Sequence, residues 1–292
     1  MPAAAAPARA GGLIHPHAAI GAVYLTVRRL DVAAAFYRDR LGLAVLEAGE
    51  RLVRLGAGGR ALVVLHGDPA AAAVTRATGL YHLAILLPSR ADLAAVLRHL
   101  AATRTPLHGA SDHLVSEALY LEDPEGNGIE IYRDQPRGEW RNEAGGEIRM
   151  ATRPLDVDGL LREPQAAGPW RMPDGTTVGH VHLKVSDVSR AERFYVDVLG
   201  FGLTARYGHA ASFVSAGGYH HHIGFNMWES TGAPPPPDGA AGLAWFEIVL
   251  PGAAERDAVA GRLTAAGVAT ATENGAVLVR DPAGNRIRLV LA

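Results

Sequence analysis

An internal repeat narrows the folds open to this chain more than any other property. Ala22-Val23-Tyr24-Leu25-Thr26-Val27, followed by Phe36-Tyr37-Arg38-Asp39-Arg40-Leu41-Gly42-Leu43, recurs as His180-Val181-His182-Leu183-Lys184-Val185, followed by Phe194-Tyr195-Val196-Asp197-Val198-Leu199-Gly200-Phe201. Gly79 to Pro88 recurs as Gly242 to Pro251, and Asp123-Pro124-Glu125-Gly126-Asn127 as Asp281-Pro282-Ala283-Gly284-Asn285. A repeat on this scale limits the fold to assemblies of similar supersecondary units.

Each half divides again into two units that read as strand, helix, then three strands. In the first, Asp31 is expected to cap a helix that stops at Gly42, and short strands follow near Val45, Leu52 to Leu55 and Ala61 to Leu65. In the second, Ser89 caps a helix whose Leu93, Val96, Leu97 and Leu100 make one apolar stripe. Its Ser116 to Leu121 strand joins the strand through Glu130 by the Asp-Pro-Glu-Gly-Asn turn. Strands are expected over Ala211 to Ser215 and Tyr219 to Met227 in the third unit, and a helix through Val259 and Leu263 in the fourth. The predicted organisation is a flexible tail over 1–17, a half of two units over 18–134, a linker over 135–177 with one short helix near Leu155 to Arg162, and a second half over 178–292.

Composition excludes several classes of function. A net charge of −2 without Lys/Arg-rich runs gives no general attraction to nucleic acid or an anionic membrane, so a small-molecule substrate is expected. With no cysteine, any metal must sit on nitrogen and oxygen donors. The Ala/Pro/Gly-rich start lacks the charged and apolar segments of a signal peptide, and no apolar run approaches a membrane span, which predicts a cytoplasmic protein.

Two polar residues stand inside otherwise apolar strands. His82 lies in Leu80-Tyr81-His82-Leu83-Ala84-Ile85, and Glu130 in Ile129-Glu130-Ile131. Side chains alternate along a strand, so Glu130 faces away from its isoleucines. A carboxylate there requires an arginine, a proton, or a metal shared with a residue such as His82.

Four βαβββ units with His and Glu on first and last strands resemble the vicinal oxygen chelate (glyoxalase-like) superfamily. More narrowly, Gly179-His180-Val181, Tyr219-His220-His221-His222-Ile223-Gly224-Phe225-Asn226 and Asp123-Pro124 through Glu130 are similar to the extradiol ring-cleaving dioxygenases of the catechol 2,3-dioxygenase type. The resemblance implies an α+β fold in which four βαβββ modules pair into two cupped, barrel-like mixed sheets. It directs attention to Ala22, His82, Glu130, His180, Trp245 and Arg288 as ligand positions. Neither half keeps a full set, whereas pairing the second unit with the third unites His82, Glu130 and His180. Two imidazoles and a carboxylate suit a non-haem Fe(II) oxygenase, and Mn(II) fits the same donors. His182 shares the face of His180 and rivals it as third ligand; the glycine before His180 favours His180.

The same resemblance places a proton-handling histidine on the Tyr219 to Asn226 strand. By alternation His220, His222, Gly224 and Asn226 share one face; the resemblance implies the catalytic role for His220, with His222 as its rival, and substrate contact for His222, His182 and Asn226. Tyr120 and His113 fall near positions where the dioxygenases carry substrate-bonding residues. Tyr24 and Trp245 are expected to pack. The implied activity is Fe(II)-dependent cleavage of catechol by O2 to a 2-hydroxymuconate semialdehyde type product, serving aromatic hydrocarbon catabolism, and a homo-oligomer is compatible with it. Two other readings stay open, a glyoxalase-like isomerase or thiol transferase and a metal-free protein that binds aromatic ligands.

Overall fold

The computed structural model describes residues 12–164, 168 and 170–292. Its first unit contains β1 (Ala19–Val27), α1 (Leu30–Ala35) and β2 (Ala44–Ala48), β3 (Leu52–Ala57) and β4 (Arg60–Gly67). The second contains β5 (Gly79–Leu87), α2 (Arg90–Ala102), β6 (Gly109–Asp112), β7 (Ser116–Glu122) and β8 (Gly128–Asp134). The connection carries β9 (Arg153–Pro154) and α3 (Val157–Leu161). The third unit has β10 (Thr177–Lys184), α4 (Val188–Glu192), β11 (Gly202–Tyr207), β12 (Ala211–Ser215) and β13 (Ile223–Asn226). The fourth has β14 (Gly242–Leu250), α5 (Ala253–Ala265), β15 (Thr270–Glu273), β16 (Ala276–Arg280) and β17 (Arg286–Leu291).

The units pair inner with inner and outer with outer. One sheet runs β15-β16-β17-β14-β1-β4-β3-β2, and the other β11-β12-β13-β10-β5-β8-β7-β6-β9. In each, two units meet through their first strands, β1 antiparallel to β14 and β5 antiparallel to β10. Period 2 then divides the residues. Leu83, Ile85, Ile129, Ile131, Val181 and Leu183 enter an apolar core shared with Val23, Leu25 and Phe246 of the other sheet, whereas His82, Ala84, Glu130, His180 and His182 face the other way.

The repeated Phe-Tyr and Asp-Pro-x-Gly-Asn segments are physically coupled. Tyr37 donates its hydroxyl to Asp123 Oδ2 at 3.1 Å, and Tyr195 to Asp281 Oδ2 at 2.9 Å. The other oxygen of each aspartate accepts backbone N–H groups of its own turn, from Glu125 and Asn127 and from Ala283 and Asn285. Each tyrosine thus fastens a unit's helix to the next unit's final turn, so the spacing of the two motifs is kept in both halves.

Local expectations fare unevenly. Ser89 caps α2, accepting from the Asp92 N–H. Asp31 does not cap: α1 begins at Leu30, and Asp31 lies in its first turn. The chain then runs as π-helix over Phe36–Arg40 before Gly42, whose φ of +75° suits a helix end. The helix expected in the connection is α3. Residues 1–11 of the expected tail lie outside the described residues; farther on, Ile14 is buried and its N–H bonds to the Gly200 carbonyl at 2.9 Å.

Candidate metal centre and cavity

The three donors meet above one small residue. Across β10, β5 and β8, His180 pairs with Ala84 and Ala84 with Glu130, so a methyl group separates the imidazole from the carboxylate. His82 stands two residues along β5 on the same face. His180 Nε2 comes within 3.1 Å of Glu130 Oε2, and His82 Nε2 within 3.0 Å of the same oxygen. The second contact lies outside hydrogen-bond alignment, so His82 Nε2 is buried without a partner among the described residues.

Glycine at 179 makes the register possible. β10 bulges against β5 between Val178 and His180, and a Cβ at Gly179 would fall on the Tyr132 hydroxyl. His180 is held by packing, with the Tyr132 and His221 rings at 4.9 and 4.1 Å between centroids, because its Nδ1 finds no partner among the described residues.

Geometry and charge both fit a divalent ion. Donors about 2.1 Å from an ion and at right angles lie about 3.0 Å apart, close to the two spacings on Glu130 Oε2. Burial alone would raise the Glu130 carboxyl, but the imidazoles of His180 and His82 overcome it and hold it well below the usual carboxylate range. Burial pushes His180 down to about 4 against the pull of Glu130. At neutral pH the carboxylate is therefore ionised and His180 neutral, donating its Nε2 proton to Glu130, and a bound divalent ion would displace that proton. His182 is held elsewhere: its Nε2 accepts from Asn226 Nδ2 at 2.9 Å.

A cavity of about 750 Å³ is lined by two of these donors, His82 and Glu130, while His180 is not part of its lining. His113, Tyr120, His182, His221, Tyr81 and Trp228 contribute to its lining. Tyr120 lies 2.6 Å from His113 Nε2, and His113 Nδ1 lies 2.7 Å from the Ala151 carbonyl. A carbonyl only accepts, so His113 Nδ1 donates to Ala151, and in that tautomer Nε2 accepts the Tyr120 hydroxyl. Burial, then Glu130, pushes the Tyr120 phenol well above its ordinary value, so it keeps its proton.

The histidine run departs from the sequence expectation. His220, His222 and Asn226 do not line the cavity; His221 does. Alternation was carried too far back along the chain: Gly217 and Gly218 turn with φ of +58° and +66°, and β13 begins only at Ile223. His220 is fully buried, with Nε2 at 2.9 Å from Asp134 Oδ1 and Nδ1 at 2.7 Å from His221 Nδ1. The Asp134 carboxylate accepts from the His220 Nε2–H; in that tautomer His220 Nδ1 accepts from the His221 Nδ1–H, and His221 Nε2 has no hydrogen-bond partner among the described residues. His222 Nδ1 accepts the Ala216 N–H. The double glycine was the sequence signal for this break; nothing in the sequence marked Asp134 or Ala84.

The equivalent face of the outer sheet carries different chemistry. Tyr24 stacks on Trp245 at 4.5 Å and donates to Glu247 Oε1, while Arg288 lies over the Trp245 ring.

Comparison with known proteins agrees with this architecture. The family profile described as Glyoxalase/Bleomycin resistance protein/Dioxygenase superfamily matches residues 16–131 and 177–289. A catechol-2,3-dioxygenase of Bacillus subtilis (strain 168) is 44% identical over 273 residues, covering 92% of this chain and 95% of the relative. Among solved structures, a protein of Bacillus subtilis subsp. subtilis str. 168, provisionally named a dioxygenase, aligns with a TM-score of 0.65 at 12% identity over 97% of this chain and 86% of its own. Glyoxalase I from Zea mays gives 0.57 at 14% identity over 94% and 92%. The profile match spans both halves of the repeat, and the chain belongs to the glyoxalase/bleomycin resistance protein/dioxygenase superfamily.

Proposed function

We propose that this protein is an extradiol dioxygenase that opens a catechol ring with O2, at Fe(II) held by His82, Glu130 and His180. The observation that carries the reading is the convergence of those donors over Ala84, beside a cavity large enough for an aromatic ring that His82 and Glu130 line. The 44% identical catechol-2,3-dioxygenase supports the choice of substrate. Mn(II) is the other ion this donor set takes.

Iron held by His82, Glu130 and His180 would supply the redox chemistry between catechol and O2. The protein's part is orientation and proton handling. Tyr81, Trp228 and His182 offer an aromatic wall on one side of the cavity. His221 presents a free Nε2 as proton acceptor, in a tautomer held through His220 by Asp134. Tyr120, whose proton goes to His113 Nε2, offers its hydroxyl oxygen as acceptor to a ring hydroxyl. His220, given the acid/base role from sequence, acts here through His221.

The test is direct. Protein purified without oxygen, loaded with Fe(II) and mixed with catechol in air is expected to consume one O2 per catechol and yield a yellow ring-opened semialdehyde. Dioxygen uptake that gives a diacid instead, or no uptake at full iron occupancy, overturns the reading. Turnover of a glutathione hemithioacetal without O2 would favour the glyoxalase-like alternative.

A further inference from the structure

The connection between the halves is part of the cavity wall. Asn142 bridges Ile148 as a small hairpin, and the segment from Glu147 to Pro154 ties the far edges of the nine-stranded sheet to each other. Toward β11, the Ile148 N–H bonds to the Thr204 carbonyl at 2.7 Å and Glu147 pairs with Arg206. Toward β6, β9 pairs with it and His113 reaches the Ala151 carbonyl. Ile148 and Met150 line the cavity from this segment, with Ala205 and Phe213 also in the lining.

The charge on the lining has a sign. Apart from Glu130, the carboxylates Glu122, Glu143, Glu147 and Glu229 line the cavity, against the cations Arg206 and Lys184. Arg206 is fully engaged, its Nε and Nη2 by Glu192 and its Nη1 by Glu147. Among the described residues, no guanidinium fork on the lining is free for a substrate carboxylate, and Lys184 offers only a point charge among more numerous acids. The volume exceeds the needs of a bare dihydroxylated ring and falls in the range of pockets that enclose larger ligands.

We infer that Ile148 and Met150 form the subsite for the ring substituent, and that the protein takes catechols bearing a bulky uncharged apolar group in preference to carboxylated ones. This rests on the ring-cleavage reading for the fate of the substrate, though binding alone can test it. The apolar group gains by leaving water against Ile148 and Met150, whereas a carboxylate meets acids and no bidentate partner.

The experiment is anaerobic calorimetry on the Fe(II)-loaded full chain with catechol, tert-butylcatechol and protocatechuate. Tert-butylcatechol is expected to bind at least about tenfold more tightly than protocatechuate, as a few methyl groups in an apolar pocket allow. Ile148→Ala is expected to weaken tert-butylcatechol more than catechol, and Met150→Lys to shift the preference toward protocatechuate. Protocatechuate binding as tightly as tert-butylcatechol to the wild type overturns the inference, as does an Ile148→Ala loss equal for all three ligands. If the ligands bind in the expected order and none is cleaved in air, the subsite stands and the ring-cleavage reading falls.

Discussion

Nε2 of His180 lies 3.1 Å from Oε2 of Glu130, although 50 residues separate them and they belong to different halves of the repeat. Only the pairing of inner units makes that contact. Glu130→Gln keeps the side-chain shape and removes the charge, so iron affinity is expected to fall by more than about a hundredfold while the fold survives. Iron content after desalting, alongside circular dichroism, checks this. Full occupancy in the variant would show that the carboxylate is not a ligand.

Ala84 is the second test of the same geometry. A leucine there would fill the space over which the donors meet, at a packing cost of about 1–3 kcal/mol. The expected result is a folded protein, somewhat less stable, that no longer holds iron. Ala84→Gly, which leaves the space open, is expected to retain it. A leucine variant with normal iron content would separate the row from the metal.

In the proposed reaction His221 and Asp134 would divide the proton handling. His221→Gln is expected to lower kcat by about two to four decades at unchanged iron content, since it removes the acceptor facing the substrate. Asp134→Asn should cost less, because it acts through His220 on the tautomer and not on the ring. Steady-state kinetics on both variants decides it, and a larger loss in the Asp134 variant would reverse the roles.

His222 predicts part of the acid sensitivity. Burial, aided by His220 and His180, pushes it down to about 3 from 6.5. The unfolded chain therefore binds the proton first, and stability present above pH 6.5 is lost as pH falls toward 3, at up to about 1.4 kcal/mol per pH unit. His222→Asn keeps an acceptor for the Ala216 N–H without the titration. Urea midpoints between about pH 6 and 4 are expected to fall less steeply in the variant; equal slopes would assign the loss to other groups.

Tyr37→Phe and Tyr195→Phe each remove the hydroxyl that fastens a helix to a buried aspartate in the next unit. Each is expected to destabilise the protein by about 1–3 kcal/mol, read as a lower Tm, with little effect on iron. The two losses should be similar, since the two contacts repeat. Loss of iron in either variant would show that this contact also shapes the centre.

The units and the candidate donors were legible in the amino-acid order alone. Period 2 set His82, Glu130 and His180 on the polar face of apolar strands, and the repeat placed them in equivalent registers. The absence of donors at Ala22 and Trp245 pointed to pairing of the inner units, which the sheet order has. The limit of such patterns was backbone shape over short distances. Gly217 and Gly218 turn the chain so that His221, and not His220, meets the cavity, and alternation cannot anticipate a turn that breaks it. Ala84 between two donors, Tyr132 against Gly179, Asp134 behind His220 and Ile148 on the cavity wall emerged only in three dimensions. Each depends on contacts between segments far apart in the chain, where the distance is set by how the sheet curls and not by any local pattern.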